Sequence, residues 1–123
     1  MISRRTLISA ASAVCVAPLS QAQTHVIRLI VPFPPAGATD VVGRVIAEAL
    51  GRELNTTVVV DNRAGAGGSI GTSELAKAAP DGYTLGIATV STHAVNPVAY
   101  RNLPYKPDRD FTYVSELARA PGV

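Results

Sequence analysis

Residues 26–40 have the sequence VIRLIVPFPPAGATD, and this stretch decides the fold. Its first six residues are a short β-rich run ended by Pro32, which predicts a first strand that is largely buried. Residues 32–37 have the composition of a loop. Thr39 or Asp40 then suits the N-cap of a helix. A buried strand that passes through a short loop into a helix is the start of an α/β unit.

The helix that follows is predicted from the spacing of its apolar residues. The apolar positions that recur on one face are Val41, Val42, Val45, Ile46, Ala49 and Leu50. Arg44, Glu48 and Arg52 lie four apart on the other face, where solvated ion pairs are expected. Gly51 and Asn55 mark the end of this helix.

The rest of the chain continues the alternation of strands and helices. Residues 57–60 predict a second strand, residues 61–68 a glycine-rich loop, and Ser69 can cap a helix that runs to about Ala78. The remaining expectations are a turn at 80–82, a third strand at 83–88, a polar loop at 89–96, one helical turn at 97–100, irregular chain at 101–109 and another strand at 111–117. This order predicts a parallel sheet with right-handed crossovers and flanking helices.

The N-terminus has the three-part pattern of a secretory signal. Residues 1–5 are basic, residues 6–19 are mostly apolar, and residues 20–22 offer small side chains before a cleavage ahead of Gln23. The apolar part is too short to span a bilayer comfortably, and Cys15 is interpreted as an ordinary apolar residue of the signal. We therefore expect a signal peptide over residues 1–22, exported to the periplasm by the Sec or the twin-arginine route. Residues 23–123 are then the mature α/β domain, with no stable membrane insertion.

Composition excludes several classes of partner. The chain carries 11 basic and 9 acidic residues, but the signal contains two of the arginines, so the mature domain is formally neutral. A neutral domain with only 5% aromatic residues is not typical of nucleic-acid binding. The mature chain has no cysteine and no cluster of metal-ligand residues, so neither a metal nor another cofactor is expected.

The candidate site lies where the three strands end. Parallel strands place their following loops at one edge of the sheet, where open α/β proteins bind ligands. These loops are rich in small and hydroxyl residues at 36–39, 65–69 and 91–93. Two of them lead into helix N-termini, which present unpaired N–H groups and a partial positive charge. The arrangement suits a carboxylate or a phosphate.

Other chemistries fit the sequence less well. A dinucleotide motif would need a glycine at position 70, which is Ile70, and no Gly-Lys-Ser or Gly-Lys-Thr of a P-loop follows the glycines. Ser91 and His93 lack a third partner for a triad. Asp40 is interpreted as an N-cap and His93 as a hydrogen-bonded structural residue. An ion pair with a neighbour such as Asp61 is expected for Arg63. No catalytic residue is therefore predicted.

Several motifs together resemble the Bug family of tripartite tricarboxylate transporter receptors. Residues 32–40 resemble the first ligand loop of that family, residues 61–68 (DNRAGAGG) resemble the second, and residues 80–85 (PDGYTL) resemble the lead into the third strand. Residues 92–97 (THAVNP) continue the match, followed by Leu103-Pro104-Tyr105 and Asp110-Phe111. The resemblance covers essentially all of the mature chain.

The resemblance implies a two-domain, Venus-flytrap receptor that captures a small carboxylate and passes it to the membrane components of a transporter. It implies binding by backbone amides, hydroxyls and bridging waters. The positions carried over by the match are Phe33, Ala36, Gly37, Thr39 and Asp40 in the first loop, Gly67, Gly68 and Ser69 in the second, and Ser91, Thr92 and His93 in the third.

The chain departs from the family pattern in two ways. Ala36 stands where the family often has glycine, which costs stability if that position needs a positive φ. Family members are also much longer, so the chain is expected to be the N-terminal domain alone, with the second domain absent. Two other hypotheses stay open: a small α/β enzyme acting on a phosphorylated substrate, and a nonfunctional truncated receptor fragment.

Overall fold

The computed structural model describes residues 25–119, and the signal predicted over residues 1–22 lies outside them. The elements are β1 (Ile27–Val31), α1 (Ala38–Glu53), β2 (Val58–Asn62), a 3₁₀ turn (Ala66–Gly68), α2 (Ser69–Lys77), β3 (Thr84–Gly86), a π-helical turn (Ser91–Val95) and α3 (Asn96–Ala99). The predicted alternation of strand and helix is confirmed.

The three strands form one parallel sheet in the order β2-β1-β3. Ile27 pairs with Val58 in β2, and Leu29 pairs with both Val60 in β2 and Leu85 in β3. β1 is the central strand and is covered on both faces, as its continuous apolar sequence predicts. Val31 at its end is completely buried.

The two long helices cover opposite faces of the sheet. Successive residues of a strand point to opposite faces. Leu29 and Val31 form a core cluster with Ala47 of α1, whereas Arg28 points to the other side and bonds Glu74 of α2. The fold is therefore a three-layer α/β/α arrangement around a parallel sheet, which confirms the predicted fold class.

The buried face of α1 differs from the predicted one. Val41 and Val45 are 56% and 62% exposed, and the buried residues of the helix are Asp40, Gly43 and Ala47. A β-carbon at Gly43 would lie 2.9 Å from the Val31 Cγ2 atom, so small residues on this face let the helix approach the sheet closely. The apolar spacing predicted the helix correctly. It assigned the contact with the sheet, however, to a face that is rotated about the helix axis from the face that is buried.

The predicted helix caps are wrong. α1 begins at Ala38 after an extended Gly37, and no side chain within residues 25–119 caps it. Asp40 lies inside the first turn. Ser69 is the first residue of α2, and the N-cap position belongs to Gly68 in the left-handed conformation, with a φ of 89°.

The predicted strand at 111–117 is also wrong, since residues 111–119 have no regular structure. Phe111 and Tyr113 pack against His93 instead, with ring centroids 5.1 and 5.7 Å apart from the imidazole. A strand needs an edge to pair with, and these aromatic side chains hold the segment beside the third loop. Among residues 25–119, no helix has the length and apolar character needed to cross a membrane.

Candidate anion-binding site

The loops after the three strands meet at the carboxyl edge of the sheet. We call residues 32–37 the first loop, residues 63–68 the second and residues 87–95 the third. Gly68 lies where all three meet: a β-carbon there would be 2.6 Å from Thr92 Cγ2, 3.3 Å from Phe33 Cζ and 3.4 Å from the Pro32 carbonyl oxygen. The sequence-predicted loops are thus brought together around a position that has room only for glycine.

Asp40 organises the start of α1 from inside the protein. The residue is 2% exposed, and its carboxylate accepts hydrogen bonds from Arg44 Nε, from the Ala36 N–H and from Asn62 Nδ2, each at 2.9 Å. The bond from Arg44, followed by those from Ala36 and Asn62, lowers the pKa of this carboxyl to about 2. Asp40 is therefore an ionised structural group, and its lone pairs are directed at donors within the protein.

The first turn of α1 presents free N–H groups at the same edge. The first helical hydrogen bond runs from the Val41 N–H to the Gly37 carbonyl at 3.0 Å, so the N–H groups of Ala38, Thr39 and Asp40 precede the helical pattern. Because no side chain within residues 25–119 caps the helix, these groups can donate to an anion. Gly37 and Ala38 are exposed and Thr39 is half-buried.

The second loop has an unusual run of positive φ angles. Gly65, Ala66, Gly67 and Gly68 have φ values of 132°, 47°, 63° and 89°. Glycine adopts this region without the steric cost that a β-carbon brings, which explains the composition of the loop. Gly67 is exposed, whereas Gly68 and Ser69 are buried, so Gly67 is the exposed one of these three predicted site residues.

The third loop is held by hydrogen bonds around Thr92. The Thr92 side chain is fully buried, its hydroxyl lies 2.7 Å from His93 Nδ1, and its carbonyl accepts a bond from the Tyr105 hydroxyl at 2.6 Å. Burial lowers the pKa of His93, which favours the neutral imidazole. The prediction that His93 is a hydrogen-bonded structural residue is confirmed, and Ser91 beside it is exposed.

The predicted site residues therefore fall into two sets. Those with surface that a ligand could reach are Phe33, Ala36, Gly37, Thr39, Gly67, Ser91 and His93. Those buried beneath them are Asp40, Gly68, Ser69 and Thr92. The buried residues determine the conformation of the loops that carry the accessible residues.

Two arginines on the α2 side of the sheet are paired with carboxylates. Arg63 Nε lies 2.9 Å from Asp61 and 3.4 Å from Glu74, and Arg28 bonds the same two acids. The ion pair predicted for Arg63 is confirmed. The donors that remain near the loops include the backbone N–H groups of the first turn of α1 and the hydroxyls of Thr39 and Ser91. No group of His, Cys, Asp and Glu side chains within residues 25–119 is arranged to hold a metal.

Sequence reasoning missed two residues of the site, Asn62 and Asn96. Each donates from its side-chain amide into a loop 29 residues away in sequence: Asn62 to the Phe33 carbonyl and Asn96 to the Gly67 carbonyl. Asn62 also falls in the motif DNRAGAGG and Asn96 in THAVNP. The family motifs identified the two segments that contain these asparagines. No neighbouring residue in either motif indicates that the asparagine bonds a loop far away in the sequence.

Comparison with known proteins identifies the family. The model of the tripartite tricarboxylate transporter family receptor matches residues 42–123. The protein BugT of Bordetella pertussis is 49% identical over 96 residues, which are 77% of this chain and 29% of BugT.

Two solved structures resemble the fold over the same region. MatC from Rhodopseudomonas palustris, solved with bound malate, has a TM-score of 0.72 and 37% identity over 75% of this chain and 31% of its own. The periplasmic binding protein BugD has a TM-score of 0.67 and 41% identity over 70% of this chain and 28% of its own. The chain thus spans less than a third of the length of these relatives. Together these matches show that it belongs to the tripartite tricarboxylate transporter receptor family, as its motifs predicted.

Proposed function

We propose that this chain supplies the ligand-capturing loops of a periplasmic receptor for a small carboxylate. The observation that carries the proposal is the first turn of α1, where three N–H groups without helical partners lie at the edge where all three loops meet. Hydrogen bonds from such donors to a carboxylate are short and strong because the acceptor is charged. The positive end of the helix dipole adds to the attraction.

The relatives favour a carboxylate over other anions. MatC, which shares this fold, was solved with bound malate. The proposed contacts are the positions carried over from the family motifs: Phe33, Ala36, Gly37, Thr39, Asp40, Gly67, Gly68, Ser69, Ser91, Thr92 and His93. Of these, Asp40, Gly68, Ser69 and Thr92 act from below by shaping the loops, since they are buried.

The proposal includes a transport setting and no catalysis. Residues 1–22 direct export to the periplasm by the Sec or twin-arginine route, and residues 23–123 form a ligand-binding lobe that delivers its carboxylate to the membrane components of a tripartite tricarboxylate transporter. His93 does not act as a base in this proposal, because its Nδ1 is engaged by Thr92 and its ring by aromatic side chains.

The proposal is tested by titrating the full chain with malate and, separately, with inorganic phosphate. A ligand that binds only the folded state raises the thermal midpoint by mass action, and calorimetry gives its affinity. We expect malate to bind and phosphate to bind more weakly. Binding of phosphate alone would contradict the carboxylate assignment and favour an enzyme acting on phosphorylated compounds.

A matched pair of variants tests where malate binds. Ala38→Glu places a carboxylate in the first turn of α1, where it competes for the free N–H groups, so we expect at least a tenfold loss of affinity. Ala79→Glu makes the same change at an exposed position beyond the carboxyl end of α2, at the opposite edge of the sheet. Equal affinities in the two variants would exclude the α1 N-terminus as the site.

A further inference from the structure

We propose that Asn62 and Asn96 are the positioning residues of this site, each fixing one ligand loop so that its N–H groups face the anion. The inference rests on the proposed function and deepens it, because it identifies what holds the binding loops in place. Neither residue needs to touch the ligand.

Asn62 fastens the first loop to the start of α1. Its Nδ2 donates to the Phe33 carbonyl at 3.1 Å and to Asp40 Oδ1 at 2.9 Å. Its own Oδ1 accepts from Arg44 Nη2 at 3.4 Å. Since Asp40 in turn accepts from the Ala36 N–H, a single amide links the beginning of the loop, its end and the first helical turn.

Asn96 does the same for the second loop. Its Nδ2 donates to the Gly67 carbonyl at 2.9 Å and to Ser69 Oγ at 3.0 Å. The side chain is buried at the start of α3, and its oxygen would lie 3.3 Å from a β-carbon at Gly67. Again one amide joins a loop carbonyl to a side chain in the first turn of the following helix.

The repeated arrangement has a clear electrostatic consequence. A backbone carbonyl that faces an anion repels it, and the Phe33 and Gly67 carbonyls are the ones that the two amides bind. An amide donor holds a carbonyl aside without adding a charge that would compete for the ligand. The N–H groups of the neighbouring residues are then free to point toward the anion.

The two residues also connect the loops in series. Asn62 is the last residue of β2 and leads into the second loop, yet it holds the first. Asn96 follows the third loop and holds the second. The first and second loops are therefore each fixed by a residue at the boundary of the next loop along the chain, so these loops keep one relative arrangement.

The test uses Asn62→Asp and Asn96→Asp in the full chain, with Asn102→Asp as the matched control. Aspartate has the same shape but replaces two N–H donors by an acceptor. Asn102 is exposed and lies in the same region of the fold, and its replacement by aspartate makes the same change in charge. We expect malate affinity to fall at least tenfold in the first two variants and less than twofold in the control.

Acidification gives a second readout that a general loss of stability would not follow. An aspartate at position 62 would face both Asp40, whose like charge raises its pKa, and Arg44, whose opposite charge lowers it, and its protonated form regains one donor. We expect the difference in malate affinity between Asn62→Asp and Asn102→Asp to narrow as the pH is lowered from 7 to 3, with Asn102→Asp correcting at each pH for the protonation of malate itself. If aspartate prevents folding, Asn62→Ala and Asn96→Ala remove the donors without adding charge and are measured in the same way.

Hydrogen exchange distinguishes a failure of this inference from a failure of the proposed function. Faster exchange at the hydrogen-bonded amides of Ala36 and Val41 in the Asn62 variants, and at the Gly68 amide in the Asn96 variants, supports the positioning role even if the unmodified chain binds no malate. Malate affinity and loop exchange that both match the Asn102→Asp control would overturn it. Absence of malate binding by the unmodified chain would instead count against the proposed function alone.

Discussion

The Thr92 methyl group packs directly over Gly68, leaving no space for a β-carbon between the second and third loops. The same glycine has a φ of 89°, in the left-handed region. Two separate physical reasons thus require glycine at this point, one steric and one conformational. Gly82 shares the left-handed conformation but has no atom within 4 Å of its β-carbon position, which makes the two contributions separable by experiment.

Gly68→Ala should lower the free energy of unfolding by about 3 kcal/mol, combining an overpacking cost with the strain of alanine at positive φ. Gly82→Ala is the matched control, because Gly82 has a φ of 82° but nothing within 4 Å of its β-carbon position. That control should lose about 1 kcal/mol. Urea unfolding of both variants measures the difference. Equal losses would mean that Thr92 moves aside at little cost.

Ala36→Gly should stabilise the protein by about 1 kcal/mol, because Ala36 has a φ of 67° where alanine is strained and glycine is not. Ala49→Gly, the same substitution within the regular part of α1, should instead destabilise it by about 1 kcal/mol. Thermal or urea unfolding gives both values. A loss at both positions would show that the first loop relaxes around Ala36 without strain.

The pH dependence of stability should include a contribution from Asp40. Its pKa is about 2 in the folded protein and 3.8 in the reference state, so the unfolded chain takes up a proton first as the pH falls. The stabilisation is complete above pH 4 and is lost as the pH approaches 2. Asp40→Asn should remove this part of the acid profile, as measured by urea unfolding at each pH. Asp108→Asn removes an exposed carboxylate and is the control for the change in charge.

His93 should act in a different pH window. Burial lowers its pKa from 6.5, so the unfolded chain binds a proton more readily and stability falls as the pH drops below 6.5. His93→Gln should flatten the slope of unfolding free energy against pH between 5 and 7. His25→Gln, at an exposed position, is the control. Identical slopes in the two variants would exclude protonation of His93 as the source of the pH dependence of stability between pH 5 and 7.

The sequence predicted the sheet well, since the apolar run at 26–31 has the composition of a largely buried strand and each later strand of the sheet is bounded by turn residues. It predicted the contact face of α1 poorly. Val41 and Val45 are as apolar as the residues beside them, and hydrophobic spacing gives no weight to Gly43, whose lack of a side chain is what allows contact with Val31. Small residues that pack closely do not add to the hydrophobic pattern of the sequence, so this pattern does not reveal the contact.

The site was predicted in outline but not in its supporting contacts. The three loops and the N-terminus of α1 follow from the parallel topology. The capping role expected of Asp40 failed because the helix begins two residues earlier, at Ala38, which leaves Asp40 inside the first turn, where its carboxylate accepts from the Ala36 N–H. Asn62 and Asn96 act on loops far away in sequence, so only the folded chain reveals them.

The paired charges of Arg28, Arg63, Asp61 and Glu74 bear on how fast a ligand arrives. Two arginines that share two carboxylates form a group with no net charge, so these four residues add little to the attraction of an anion from a distance. Under the proposed function, they then contribute little to the rate at which a carboxylate arrives or to the dependence of that rate on ionic strength. Discrimination between one carboxylate and another would then be expressed in residence time on the loops.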